Sequence, residues 1–190
     1  NADVMTTPGA VVFTASNWNV TQAVAVSAID DSYFESSENH AITHTVTSGD
    51  VRYSATELAF WYGSQQSSAS VMVSVYDNDA ASVTISKSAV VVTEGVSNDT
   101  YTVVLGSAPV VHAGQAESGS AVTVAVTANS QVRVQPTTLV FSAANWNMTQ
   151  QVTVSAINDL VDELTEEHTL WHSASSSDVD YHGSNALFVG

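Results

Sequence analysis

The chain has 190 residues, no cysteine and a formal net charge of −16, because 19 Asp and Glu residues face only three Lys and Arg residues. So few cations leave no basic surface to neutralise phosphates, which argues against nucleic acid and anionic membrane surfaces as partners. The absence of cysteine removes disulfide and thiolate chemistry, and no apolar run approaches the roughly 20 residues that a membrane-spanning helix needs.

Apolar residues alternate with Thr and Ser along much of the chain, which is typical of half-buried β-strands rather than helices. In chain order, this alternation predicts strands over residues 10–13, 22–29, 40–46, 70–76, 83–86, 100–105, 121–127, 131–135, 138–141, 150–157 and 168–173. A turn is predicted at 106–109, and a glycine-containing loop at 112–119. Short strands separated by polar turns predict an all-β fold built from antiparallel sandwiches.

The sequence repeats itself at a spacing of 128 residues without a gap. Residues 1–62 align with 129–190, and 26 of these 62 paired positions are identical. A fixed period of this kind indicates tandem structural modules. We therefore expect two modules, at 1–79 and 80–190, the first without its N-terminal strands and the second without its last strand. Together they read as a window of a longer tandem array.

Acidic residues concentrate at three places in each module: the loop after the 22–29 strand and its copy after 150–157, the run Asp77-Asn-Asp79, and Glu94 after the 83–86 strand. Carboxylates held together raise one another's pKa unless a cation joins them. Oxygen ligands select a hard cation, and calcium, with six to eight oxygens at about 2.3–2.6 Å, suits flexible loops better than magnesium does. Acidic loops that only keep the protein soluble are the simpler alternative.

These pieces resemble the Calx-beta domain, first described in sodium/calcium exchangers and found in tandem in extracellular adhesion and matrix proteins. The matching motifs are Val-Thr-Glu94-Gly, Phe-x-x-x-Asn-Trp-Asn-x-x-Gln, the strand that ends in Asp-Asp-x-x-x-Glu-x-x-Glu, and Asp77-Asn-Asp79. Asn-Trp-Asn and Asp-x-x-Tyr look closer to a divergent branch of such repeats. The resemblance implies a seven-stranded, immunoglobulin-like Greek-key sandwich that binds calcium at one end.

The resemblance also implies a ligand set for each module. In the first module the set is Asp30, Asp31, Glu35, Glu38, Asp77 and Asp79. In the second it is Glu94, Asp159, Glu163 and Glu166. Asn158 departs from the acid at position 30, and Asp162 is an extra acid that could compensate.

Three Asn-x-Thr sequons, at Asn19, Asn98 and Asn147, would accept glycans if the chain is secreted by a eukaryote. Asn19 and Asn147 lie at the same repeat position. Trp18 and Trp146 occupy equivalent turns, and we interpret their rings as caps on the sandwich core, with a ligand platform as the alternative.

The histidine pairs His40/His44 and His168/His172 would suit zinc on a helix. On a strand, residues four apart lie about 13 Å from each other, so neither pair can share one ion. The sequence has no Gly-x-Ser-x-Gly elbow and no phosphate-binding glycine loop, and we expect no enzyme activity.

The function we expect is therefore that of a structural or adhesive segment of a secreted tandem-repeat protein. It would lie in a filament or surface fibre, with neighbouring modules or copies as partners and calcium stiffening the module ends. The alternative is a calcium-dependent module that binds carbohydrate or a protein through Trp61, Tyr62 or Trp18. A regulatory calcium sensor is a third possibility, which the sequons and the repeat context disfavour.

Overall fold

The computed structural model describes residues 3–53, 68–110, 120–162, 164–183 and 187–189, with the side chains of residues 68 and 69 excepted. Its backbone contacts divide the chain into two compact units. Unit 1 comprises Asn1–Asp31 and Ser36–Asp77, and unit 2 comprises Ser32–Glu35 and Asn78–Gly190. The described residues form an all-β structure with several antiparallel sheets, two short 3-10 turns and no α-helix.

Within its described residues, unit 1 has four strands in two antiparallel pairs. β1 (Val4–Thr7) pairs with β2 (Ala25–Ala28), and β3 (Glu38–Thr45) pairs with β4 (Ser68–Val75). Among its described side chains only that of His40 is buried. The described residues of unit 1 therefore show no closed apolar core of the kind that two covered sheets would make.

The part of unit 2 that the structure describes has eight strands in two sheets. The strands are β5 (Ser82–Ile85), β6 (Asn98–Leu105), β7 (Val122–Thr127), β8 (Val132–Gln135), β9 (Thr138–Phe141), β10 (Gln150–Ala156), β11 (Trp171–Ser175) and β12 (Leu187–Val189). One sheet has the order β12-β5-β6-β10-β8 and the other the order β11-β7-β9. Neighbours are antiparallel except β12, which lies parallel to β5.

The core of unit 2 is built from every second residue of strands in both sheets. Val103 on β6 and Val152 on β10 come from the larger sheet, and Val124 on β7 and Phe141 on β9 come from the smaller one. All four side chains are fully buried. The alternation puts the apolar side chains of each strand on one face, so two sheets that share one apolar core are consistent with a β-sandwich.

Most predicted strands are present with slightly different ends, but residues 10–13 are not a strand. Their counterpart β9, in contrast, pairs with β7. β1 and β12 were not predicted, and the parallel β5–β12 pair departs from the antiparallel expectation. The predicted loop 112–119 lies outside the described residues.

Candidate functional site

A turn with the same side-chain hydrogen bonds occurs at positions 128 residues apart. Asn145 accepts from the backbone N–H of Ser142 at 2.6 Å and donates to the carbonyl of Val140 at 3.3 Å. Asn17 makes the equivalent bonds to the N–H of Thr14 and, at 3.1 Å, to the carbonyl of Val12. The side-chain amide of an asparagine thus closes the turn in both places, as this residue often does.

A glutamine completes each of these turns. Gln150 donates to the carbonyl of Val140 and Gln22 to that of Val12, both at 2.8 Å. The Asn and Gln of the repeated Asn-Trp-Asn-x-x-Gln motif therefore share one backbone acceptor. This gives the motif a structural role that needs no ligand.

The two tryptophans of the motif have different surroundings. Trp146 packs against the core of unit 2, and its carbonyl accepts from the N–H of Leu105 at 3.1 Å. Trp18 is 71% exposed. The interpretation as a core cap therefore fits Trp146 and is wrong for Trp18. Trp61 and Tyr62 lie outside the described residues.

The Asp-x-x-Tyr motif of unit 2 fixes a loop. Asp178 is buried and accepts from the N–H of Val110 at 2.9 Å and from that of Asp180 at 3.0 Å. The Tyr181 hydroxyl makes three hydrogen bonds with Ser107. The backbone N–H of Ser107 lies 3.1 Å from this hydroxyl, the side-chain hydroxyl of Ser107 lies 2.9 Å away and the carbonyl oxygen of Ser107 lies 2.8 Å away. Such polar groups need partners when buried, and these contacts explain the motif structurally.

The equivalent Asp50 and Tyr53 of unit 1 do not make this lock. Tyr53 is 58% exposed. Asp50 bonds Arg52, whose guanidinium holds the pKa of that carboxyl below its usual value. The same short motif therefore supports two different local arrangements, depending on whether a neighbouring strand covers it.

Two of the predicted acidic segments of unit 2 approach each other. Gly95, which follows Glu94, has a φ of 62°, a conformation that favours glycine. A Cβ added at Gly95 would lie 3.1 Å from the Oδ1 of Asn158. The turn at Glu94 therefore lies against the start of the acidic loop that follows β10. Asp159 accepts from the N–H of Val161 at 2.7 Å, which orders the next part of this loop.

The other predicted ligands are distributed as follows. Asp30, Asp31, Glu38 and Asp77 belong to unit 1, whereas Glu35 and Asp79 belong to unit 2. Asp162 and Glu166 are exposed members of unit 2. Glu163 lies outside the described residues. In the described part of the chain, these acids do not form a group of three or more with ligand atoms mutually within 4.8 Å.

One group of potential ligands does form in unit 1, and it joins Glu38 to two residues that the sequence did not suggest. The ligand atoms of Asp3, Glu38 and His40 all lie within 4.8 Å of one another. A Glu-x-His spacing, which puts both side chains on one face of a strand, was the available signal. It was missed because β1, which follows Asp3, was not predicted.

A polar pair also borders the core of unit 2. The Tyr101 hydroxyl lies 2.8 Å from Nε2 of His172, and the two rings meet edge to face with centroids 5.5 Å apart. Burial raises the pKa of Tyr101 to about 12 and lowers the pKa of His172. The neutral imidazole is therefore favoured, and its unprotonated nitrogen can accept from the hydroxyl. His172 therefore has Tyr101 as its partner, whereas His40 lies beside Asp3 and Glu38.

The three sequons lie on accessible side chains. Asn19 and Asn147 are exposed in equivalent turns, and Asn98 is exposed at the start of β6. Exposure meets the steric requirement for a glycan acceptor, and the glycosylation itself stays a prediction. The residues that the structure describes include no helix long and apolar enough to cross a membrane.

Comparison with known proteins gives no match: no family model, no curated protein and no solved structure is similar to this chain.

Proposed function

We propose that the chain is a structural or adhesive segment of a secreted tandem-repeat protein. Its units are versions of one Greek-key, Calx-beta-like β-sandwich, and calcium at the acidic module ends stiffens the segment. Neighbouring modules or further copies of the same protein are its partners, and the protein lies outside the cell in a filament or surface fibre.

The observation that carries this proposal is the recurrence of one backbone arrangement at the repeat spacing. Val4 pairs with Ala28 in unit 1, and Val132 pairs with Ala156 in unit 2, so the two ladders have the same register. The Asn and Gln side-chain bonds described above follow each first strand at the same offset. Repeated modules that contact mainly their neighbours form extended, quasi-one-dimensional proteins, which suits a fibre.

The fit to calcium comes from oxygen donors and their placement. In unit 2 the Glu94–Gly95 turn lies against Asn158, and Asp159 follows directly. Carboxylate and amide oxygens are both ligands that calcium accepts, so Asn158 can replace an acid in such a site. An ion that binds only the folded protein stabilises it by mass action. In the first module, Asp30, Asp31, Glu38 and Asp77 of unit 1 would supply the site.

Thermal unfolding with millimolar calcium or excess chelator tests this proposal. We expect calcium to raise the melting temperature of the wild type, and the Asp159→Asn and Glu94→Gln variants to lose part of that increase. Asp180→Asn, which removes an acid outside the proposed sets, is the matched control and should keep the full increase. An unchanged melting curve in the wild type would remove calcium from the proposal.

The exposed ring of Trp18 favours one alternative function, a calcium-dependent module that binds carbohydrate or a protein. An exposed aromatic face is a common platform for sugar rings and apolar side chains. Binding on a glycan array that requires both calcium and Trp18 would favour this alternative. Binding that survives Trp18→Ala would not.

A further inference from the structure

We propose that Asp3, Glu38 and His40 form a binding site for a divalent transition-metal ion of the zinc type in unit 1. This site shares Glu38 with the proposed calcium set of the first module but differs from it in Asp3 and His40, which belong to neither calcium set. It also differs from the histidine pairs considered from the sequence, since it uses one histidine and two carboxylates from two strand pairs.

The fold brings the three residues together from separate parts of unit 1. Asp3 stands directly before β1, and its carbonyl accepts from the N–H of Ile29 at 3.0 Å, which fixes it at the end of the β1–β2 pair. Glu38 and His40 are two residues apart on β3, opposite Val75 and Val73 of β4. Side chains at this spacing share a face of the strand, so both point toward Asp3.

The distances suit a shared ion. His40 Nε2 lies 3.4 Å from Glu38 Oε2 and 3.7 Å from Asp3 Oδ2. These separations exceed those of normal hydrogen bonds. Tetrahedral ligands about 2.1 Å from a zinc ion are about 3.4 Å from one another. Both distances from the histidine nitrogen are thus close to this spacing, and the carboxylate oxygens of Asp3 and Glu38 lie within 4.8 Å of each other.

The donor types and their burial select the ion. A neutral imidazole nitrogen is a frequent ligand of zinc and other first-row metals, whereas calcium and magnesium take oxygen ligands. The side chain of His40 is 9% exposed, while those of Asp3 and Glu38 are 33% and 58% exposed. The nitrogen is thus fixed by packing while the carboxylates remain open to solvent. That arrangement leaves room for water as a fourth ligand.

Unit 2 contains a natural comparison for this site. Glu166 and His168 stand 128 residues after Glu38 and His40, and their Oε2 and Nε2 atoms are 3.3 Å apart. The residue equivalent to Asp3 is Gln131, a neutral amide. The described residues of unit 2 form no three-ligand group with this pair. The two positions therefore differ chiefly in the one carboxylate that would complete the set.

Zinc titration by calorimetry, with cobalt(II) absorption as a second readout, tests the proposal on the whole chain. We expect the wild type to bind one zinc ion in the presence of millimolar calcium. Asp3→Gln and His40→Gln should each weaken binding at least tenfold. The first of these introduces the residue that unit 2 carries at the same position, and circular dichroism would establish that both variants remain folded.

The converse exchange and a control sharpen the test. Gln131→Asp should add a second, weaker zinc site at Glu166 and His168. His44→Gln, on the same strand as His40, should leave binding unchanged. A wild type that binds no zinc, or whose affinity is unaffected by Asp3→Gln and His40→Gln, would overturn the proposal. The calcium proposal is tested separately in unit 2, because Glu94 and Asp159 are not ligands of this zinc site.

Discussion

The Tyr181 hydroxyl donates a 2.8 Å hydrogen bond to the carbonyl of Ser107, which lies 74 residues earlier in the chain. The hydroxyl and the N–H of the same serine also bond this tyrosine. Tyr181 and Ser107 are both buried, so each polar atom depends on the other for its hydrogen bonds. This pair, with Asp178, ties the segment after β11 to the loop after β6.

Tyr181→Phe should therefore destabilise unit 2. Removal of one partner leaves the buried groups of Ser107 without their bond, which costs about 1–3 kcal/mol. Urea unfolding followed by tryptophan fluorescence measures this loss. Tyr53→Phe, at the equivalent and 58% exposed position, should change stability by less than about 0.5 kcal/mol. Equal effects of the two substitutions would contradict the lock.

Gly106→Ala should also destabilise unit 2. A Cβ at this position would lie 2.6 Å from the carbonyl oxygen of Ala80 and would overlap the hydroxyl of Ser82. Backbone cannot move aside as a flexible side chain can, so we expect a loss of about 1–3 kcal/mol. Gly49→Ala is the control, because nothing lies within 4 Å of a Cβ there. A neutral Gly106→Ala in urea unfolding would disprove the close approach.

Phe141 and Phe13 occupy the same repeat position and should respond differently to truncation. Phe141 is fully buried on β9, whereas Phe13 is 54% exposed. Phe141→Ala should cost about 3–5 kcal/mol, the usual range for a buried phenylalanine, and Phe13→Ala much less. Comparable losses of unfolding free energy in the two variants would show that unit 1 has a closed core in solution.

Stability should fall as the pH drops through the ordinary pKa of histidine, in part because of His172. Burial lowers the pKa of His172 in the folded protein, so the unfolded chain binds more protons below about pH 6.5. His172→Gln should reduce the loss of unfolding free energy between pH 7.5 and pH 5. His44→Gln, at the equivalent repeat position, is the control. An unchanged pH dependence in His172→Gln would contradict this assignment.

The strands of unit 2 could be predicted because their alternation matches their burial. Val122, Val124 and Val126 are all buried on β7, and period two is the pattern of a strand with one covered face. The repeat spacing likewise predicted that β2 and β10 correspond. These are local or self-similar features, which a sequence displays directly.

The remaining features depend on which strand lies beside a segment. The local sequence pattern of the segment does not reveal that neighbour. Residues 10–13 lie at the repeat position of β9, yet they form no strand, whereas β9 pairs with β7. Trp18 and Trp146 both stand between asparagines, yet Trp18 is exposed and Trp146 is partly buried against the core. The Asp3, Glu38 and His40 group arises from two strand pairs, so no single motif contains it.

The proposed stiffening of the chain by calcium is tested most directly by the distribution of distances between the two units. The sequence has no cysteine, so Gly49→Cys and Met148→Cys would place one spin label on an open loop position of unit 1 and one on an exposed position of unit 2. Pulsed electron spin resonance should give a narrow distribution with millimolar calcium and a broader one with chelator. Distributions of equal width in both conditions would contradict the account.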